Sequence, residues 1–274
     1  MTDRLAALFS HFSLKASSFN SGPLCGLNEI ENSTQGQLHL IRSGNVEVWH
    51  GRRKKYFIEE PSLLFYPKPL RRRFQTNEEF GAEFLCANVS FEGEQANPIV
   101  NELPESLCLP LSSLPHCEQV LTLLFIEADA CYCGHQVVLD RLFEVLLVQL
   151  LRELMENEEI KVGMLAGLSD KRLRRAIVAI HDRPEEEWTV QTLAEEAHMS
   201  RTPFTNLFRE KVGETPVKYL QRWRIGLVKK WLKGGQPLRL VAEDAGYKSE
   251  SALSRAFKSQ CGVSPREWLL NANE

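Results

Sequence analysis

The sequence predicts an α+β chain: an N-terminal antiparallel β-barrel with flanking helices, followed by an all-α module holding two helix-turn-helix units. Three observations carry this. Residues 193–269 contain one supersecondary pattern twice, residues 36–94 alternate apolar and polar positions with a period of two, and the charges divide unevenly between the halves. The expected domains are residues 1–157, a linker over 158–170, and a module over 171–274.

In chain order, the first element is a short amphipathic helix with Leu5, Leu8, Phe9 and Phe12 on one face. A Ser-, Gly- and Asn-rich stretch follows and reads as a loop to about residue 25. Then come the short alternating runs Leu38-x-Leu40, Val46-x-Val48, Tyr56-x-Ile58, Leu63-Leu64-Phe65, Phe84-x-Cys86 and Val89-x-Phe91. They are punctuated by Ser43-Gly44-Asn45, His50-Gly51, Pro61, Pro67 and Pro69. Short strands broken by turn residues signal an antiparallel sandwich or barrel.

Residues 113–158 turn helical. Residues 137–155 are apolar around most of the circumference, with Asp140, Arg141, Glu144 and Arg152 as a narrow polar stripe. Such a helix must be buried on more than one side. It either packs under the barrel and touches the C-terminal module, or also pairs with its twin in a homodimer. Gly163, Gly167 and Ser169 mark the linker, in which Met164, Leu165 and Leu168 need somewhere to dock.

The repeat comes next. Residues 193–197 (Leu-Ala-Glu-Glu-Ala) match 241–245 (Val-Ala-Glu-Asp-Ala) at an offset of 48. Phe204/Leu253, Phe208/Phe257, Gly213/Gly262 and Pro216/Pro265 then match at 49. The one-residue change falls where each unit turns, which is helix-turn-helix grammar. In the first copy (about 190–212), Thr189 caps a helix with Val190, Leu193, Ala194 and Ala197 buried. His198-Met199 turns, and Ser200 caps a second helix whose first turn tolerates Pro203. Phe204, Leu207, Phe208 and Val212 form its buried stripe, and Gly213 ends it. In the second copy (about 238–261), Leu240, Val241 and Ala245 pack and Gly246 turns. Ser249 caps, Leu253 and Phe257 are buried, and Gly262 closes the helix. A helix over about 217–233 joins the copies and spans roughly 25 Å. A spacer of that order holds two reading helices about one DNA turn, roughly 34 Å, apart.

These residues resemble the AraC/XylS family of bacterial transcription regulators. The matching positions are Trp188-Thr189-Val190, Ala194, Ser200, Phe208, Gly213-x-Thr215-Pro216, Tyr219-Leu220, Arg224, Ala242, Gly246-Tyr247, Ser249-x-Ser251, Arg255-x-Phe257, Gly262 and Ser264-Pro265. The match covers about a hundred residues. It departs at Val228, where a small residue is usual, at His198, where Gly is common, and at Leu269, where the family often ends in Arg. The resemblance implies an N-terminal cupin-type sensing and dimerisation barrel and a partner in double-stranded promoter DNA. It also implies RNA polymerase as a partner if the protein is an activator.

The exposed faces of the two second helices carry the chemistry. Arg reads guanine bidentately, Asn reads adenine, and Ser or Thr meets a base edge or the thymine methyl. Arg201, Thr202, Thr205, Asn206 and Arg209 are therefore assigned to one major-groove segment. Glu250, Ser251, Ser254, Arg255 and Lys258 are assigned to the next. Lys218, Arg222 and Arg224 are expected to touch phosphate or brace the module.

Charge agrees with this division. The whole chain carries a net charge of −3, yet residues 170–274 hold 19 Lys and Arg against 14 Asp and Glu. That asymmetry points to a basic working module on an acidic partner domain. No signal peptide and no run of 18 apolar residues occurs, so a cytoplasmic protein without membrane contact is expected. Seven scattered cysteines fit reduced thiols.

No metal, cofactor or catalytic residue is expected. Many cupins bind a metal through histidines, but the run Tyr66-Pro67-Lys68-Pro69-Leu70-Arg71-Arg72-Arg73-Phe74 offers no ligand. His39 and His50 lack a third partner and read as surface or edge residues. The three arginines read as a solvated face, with an anion pocket as the sharper alternative. Cys131-x-Cys133-x-His135 crowds three donors into five residues, with no second pair to complete a zinc knuckle. An unknown small molecule or an oxidant is the expected signal, and Cys25 with Cys86 form the candidate redox pair. The rival readings are a metal-dependent cupin enzyme, a thiol-based DNA-repair protein with a similar DNA module, and a protein that sequesters another regulator. The first lacks ligands, the second lacks an activated-cysteine motif, and the basic reading faces oppose the third.

Overall fold

The computed structural model describes residues 3–30, 34–93, 97–130, 132–157 and 160–271. Among them the first half runs α1 (Ala6–His11), β1 (Leu14–Leu24), β2 (Leu27–Ile30), β3 (Gly36–Ser43), β4 (Val46–His50), β5 (Arg53–Ile58), β6 (Ser62–Tyr66), β7 (Arg72–Thr76) and β8 (Ala82–Phe91). Then follow α2 (Pro98–Glu102), β9 (Leu107–Pro110), α3 (Glu118–Ala130), α4 (His135–Glu156), α5 (Met164–Ser169) and α6 (Arg174–Asp182). The chain ends in α7 (Val190–Glu196), α8 (Arg201–Val212), α9 (Pro216–Lys233), α10 (Leu238–Asp244), α11 (Glu250–Cys261) and α12 (Pro265–Asn271). These elements fall into two compact units. One, the barrel unit, comprises Leu14–Phe91 and Leu103–Asn157, and the other, the helical unit, comprises Met1–Ser13, Glu92–Glu102 and Glu158–Glu274.

In the barrel unit all strand pairings are antiparallel among the described residues. A five-stranded sheet is ordered β1-β8-β3-β6-β9 and a four-stranded sheet β2-β7-β4-β5. Alternation sends Val46, Val48, Ile58 and Phe74 of the second sheet against Ile41, Leu64, Tyr66, Phe84 and Cys86 of the first. The stretch expected as a loop before residue 25 is instead the 11-residue strand β1, with a bulge between Ser18 and Asn20. Its small polar residues hid it: β1 is an edge strand buried on one side only. Ser18 gives its N–H and hydroxyl to Asp140 on α4, at 2.7 and 2.8 Å. That contact also explains the polar stripe of α4, whose Leu139, Phe143, Leu146, Leu147, Leu150 and Leu151 are buried.

The helical unit gathers segments from three parts of the chain. Residues 158–170, expected as a linker, contain α5, and Met164, Leu165 and Leu168 are fully buried there. Glu102 of α2 accepts a hydrogen bond from the Leu165 N–H at 3.0 Å, satisfying an open donor at the start of α5. Gly163 has φ +123, and a side chain there would meet the Glu102 carboxylate at 2.7 Å. Leu8 and Phe12 near the N-terminus are buried, and the Phe12 ring meets Trp223 of α9 edge-on at 5.5 Å.

Candidate nucleic-acid interface

Each repeat builds its turn by the same closing bonds. At the end of α7 His198 has φ +52, and its N–H donates to Glu195 O while the Met199 N–H reaches Ala194 O. In the second copy Gly246 has φ +75, its N–H donates to Glu243 O, and the Tyr247 N–H reaches Ala242 O. This is one left-handed C-terminal cap used twice. His198 holds it without the freedom of glycine, and its ring is engaged by the Arg175 guanidinium.

The caps differ. Thr189 and Thr192 form a reciprocal capping box at the start of α7, at 3.1 and 3.0 Å. Ser249 Oγ accepts from the Ala252 N–H at 3.2 Å, as expected. Ser200 makes no side-chain cap bond, contrary to the sequence expectation. It supplies extended backbone, and its carbonyl accepts the first helical bond, from Phe204 N–H. The left-handed glycines Gly213 and Gly262 close α8 and α11 on the carbonyls of Arg209 and Lys258.

Helix α9 is the beam between the copies. Its first half buries Tyr219, Leu220 and Trp223, and the Tyr219 ring meets Phe208 of α8 at 5.6 Å. Its second half packs Ile225, Val228 and Leu232 against Val241, Ala242, Ala245, Leu253 and Phe257. Val228 is fully buried, so the bulkier residue is accommodated. Leu269 leans on the same cluster, whereas Leu240, expected inside, is 50% exposed.

With the apolar stripes turned to α9, the polar faces remain outside. Arg201, Thr202, Asn206 and Arg209 of α8 are exposed and Thr205 is half-buried; on α11 Glu250, Ser251, Arg255 and Lys258 are exposed and Ser254 is half-buried. The Thr205 hydroxyl donates to Arg201 O at 2.8 Å, which leaves its methyl and lone pairs for a partner. The guanidiniums of Arg201, Arg209 and Arg255 enter no ion pair among the described residues.

The other expected cations brace the unit. Arg224 donates to the carbonyls of Pro184 and Glu186 at 2.7 Å each and of Gly246 at 3.3 Å, which pins the second turn. A side chain at Gly246 would meet that guanidinium at 2.6 Å. Arg222 pairs with Glu214 at 2.7 Å and Glu102 at 3.7 Å. Lys218 is exposed on the first turn of α9.

The barrel interior departs from expectation. His39 is fully buried, and His50 is hydrogen-bonded to the Tyr66 hydroxyl at 3.0 Å; neither is a plain surface residue. Arg72, read as part of a solvated face, is only 2% exposed, since Arg72, Phe74 and Thr76 share the inner face of β7. It donates to Leu70 O at 2.9 Å, to Gln37 Oε1 and to His39 Nε2, and lies 4.0 Å over the Tyr66 ring. Burial pushes its pKa down to about 10. Because Arg72 can only donate, His39 Nε2 accepts, and the His39 Nδ1–H therefore points to Cys86 Sγ at 2.9 Å. The sequence signal for this network was the period-two step from Arg72 to Phe74.

Cys86 is buried, and burial pushes its thiol far up. Cys25 is exposed, and a side chain at Gly81 would meet its Sγ at 2.7 Å. Leu24 pairs with Ala82, four residues along β8 from Cys86, or roughly 13 Å of strand. A disulfide needs Cα atoms within about 7 Å, so this conformation does not bring the two thiols together. Cys133 is exposed, and Cys131 lies outside the described residues. Among the described residues no cluster of three His, Cys, Asp or Glu side chains could hold a metal. Likewise, no helix there is long and apolar enough to cross a membrane.

Comparison with known proteins finds matches for both halves of the chain. Residues 3–156 match a family model described as Cupin, and residues 193–271 one described as Helix-turn-helix domain. The HTH-type transcriptional regulator MtrA of Neisseria gonorrhoeae is 32% identical, over 85% of this chain and 86% of its own. A putative AraC-like transcription regulator of Streptomyces antibioticus is 36% identical, over 65% of this chain and 60% of its own. The RCS-specific HTH-type transcriptional activator RclR of Escherichia coli is 24% identical, over 84% and 82%.

Proposed function

Because the chain belongs to the AraC family of transcriptional regulators, with a cupin N-terminal domain and a helix-turn-helix DNA-binding domain, we propose that α8 and α11 read successive major-groove segments of promoter DNA. Arg201, Thr202, Thr205, Asn206 and Arg209 serve the first segment, and Glu250, Ser251, Ser254, Arg255 and Lys258 the second. The observation that supports this most is the pair of 12-residue helices, each with its apolar stripe buried and its Arg side chains unpaired at the surface. Arg255→Ala should weaken binding to the specific site by about 1–3 kcal/mol and relax preference at one base pair. Lys218→Ala, a phosphate contact, should weaken all sequences alike and flatten the salt dependence. An equal loss on specific and random duplex for Arg255→Ala removes its base-reading role.

The barrel is the signal receiver in this reading, and the chain acts as a homodimeric activator that engages RNA polymerase; RclR, a relative named as an activator, supports that direction. Of the two candidate thiols, Cys86 is the one wired into the core, through His39 and Arg72. Burial holds it as a protonated thiol closed to an oxidant, whereas Cys25 is exposed and open to one. A promoter-reporter response to oxidant should therefore vanish in Cys25→Ser and survive Cys86→Ser. Survival in both variants leaves a small molecule as the signal.

A further inference from the structure

The barrel unit separates its charges. Eight of its twelve Lys and Arg lie within residues 52–73, together with only two of its sixteen Asp and Glu. The rest of the unit is therefore strongly acidic and one segment strongly basic. Topology gathers that segment at one end of the four-stranded sheet. Gly51, with φ +59, turns β4 into β5 so that Trp49 pairs with Lys54 and His50 with Arg53. Trp49 also pairs with Arg73 on β7. Arg73, Trp49 and Lys54 thus form one row across three strands, with the outer two backbones about 10 Å apart.

Only Arg72 of this segment turns inward; Arg52, Arg53, Lys54, Lys55 and Arg71 are exposed and Arg73 is half-buried. Arg73 lies 5.4 Å over the Trp49 ring and Lys54 4.7 Å over Phe57, contacts that hold both cations against the sheet. Lys54 pairs with Glu47 at 2.5 Å, but Arg52, Arg53 and Lys55 enter no ion pair among the described residues. A cluster of like charges at one exposed sheet end repels itself, and a polyanion relieves that repulsion.

We infer that this basic sheet end is a second DNA-contacting surface, which engages the phosphate backbone of the duplex without reading its sequence. The inference rests on DNA binding by the helical unit and adds to it a contact from the barrel unit. Charge complementarity offers one other occupant, the acidic α3–α4 region of a second copy, since residues 103–157 hold two cations against eight carboxylates. That face also carries exposed Leu123, Ile126 and Val138, which guanidinium and ammonium groups do not complement, whereas duplex phosphate is polyanionic along its whole length, so the duplex is the better fit.

The test needs no operator, because phosphate contacts are sequence-independent. Full-length protein is titrated with a 60-bp mixed-sequence duplex at several salt concentrations between about 50 and 200 mM. The variant Arg52→Gln/Arg53→Gln/Lys55→Gln should bind more weakly. Its slope of log K against log salt should be shallower by about 2–3, at roughly 0.9 per lost phosphate contact. Independently of any variant, Lys55 in the wild-type chain should be shielded from acetylation by bound duplex. An unchanged slope with Lys55 equally acetylated overturns the inference and leaves DNA binding by the helices intact. Wild-type protein that fails to bind the duplex overturns both. A variant that keeps its slope but loses a salt-sensitive oligomer in sedimentation assigns the basic end to a second copy and overturns the DNA contact.

Discussion

His181 couples the stability of the helical unit to pH. It is fully buried, stacked on Trp223 at 3.9 Å, and hydrogen-bonded through Nε2 to the Tyr219 hydroxyl at 2.6 Å. Burial, reinforced by the nearby His11 and Arg222 charges, pushes its pKa down to about 3. The folded state therefore holds it neutral, while the unfolded chain takes up a proton below its ordinary value of about 6.5. Stability from this group is complete above pH 6.5 and is lost as pH falls toward 3. Between pH 6.5 and 4.5 the loss amounts to about 2–3 kcal/mol. His11, also lowered by burial, works in the same direction, whereas Glu102, raised by burial, opposes it near the carboxylate range. Urea melts at the two pH values should show this drop in wild type and a much smaller one in His181→Gln. Parallel pH dependence in both proteins would falsify the assignment.

At the scale of elements, legibility followed the kind of force involved. Helices α7 to α11 are readable because local signals mark them: 3.6-period apolar stripes, a Thr or Ser before α7, α8, α9 and α11, and Gly213, Gly246 and Gly262 where φ turns positive. The repeat let each copy check the other. Strand β1 was not readable, since Ser, Asn and Gly are poor strand formers and its pairing partner β8 lies about seventy residues away. Helix α5 is obscured by its glycines, although Met164, Leu165 and Leu168 in that segment signal that it docks on a core. Within the site, exposure on α8 and α11 was legible from periodicity alone. The role of Arg224 was only half legible, because its three carbonyl partners come from a loop about forty residues upstream and a turn about twenty residues downstream. The inward turn of Arg72 was legible in principle, yet a run of three arginines is more often a solvated face.

The whole molecule poses the question of how many copies act together. On α3, Leu123 and Ile126 are 52% and 55% exposed; on α4, Val138 and Val145 are 42% and 45% exposed. The two helices pack against each other. Val138, Arg141, Val145 and Arg152 follow helical spacing along the outer face of α4, with Arg141 held to Glu144 at 2.8 Å. Exposed aliphatic residues on adjacent helices, rimmed by charge, have the composition of an interface between copies. A dimer through this face brings four reading helices to one promoter. The second copy then binds as an intramolecular event and can raise avidity by about 10²–10⁴. Leu123→Glu/Val145→Glu places two carboxylates in that face without touching either core. Sedimentation at micromolar concentration should then show monomer where wild type is dimeric, with melting curves unchanged. Affinity for a promoter with two sites should fall by the avidity factor, while affinity for a single site holds. A wild-type chain that sediments as a monomer and binds two-site and single-site duplexes equally well removes the homodimer from the mechanism.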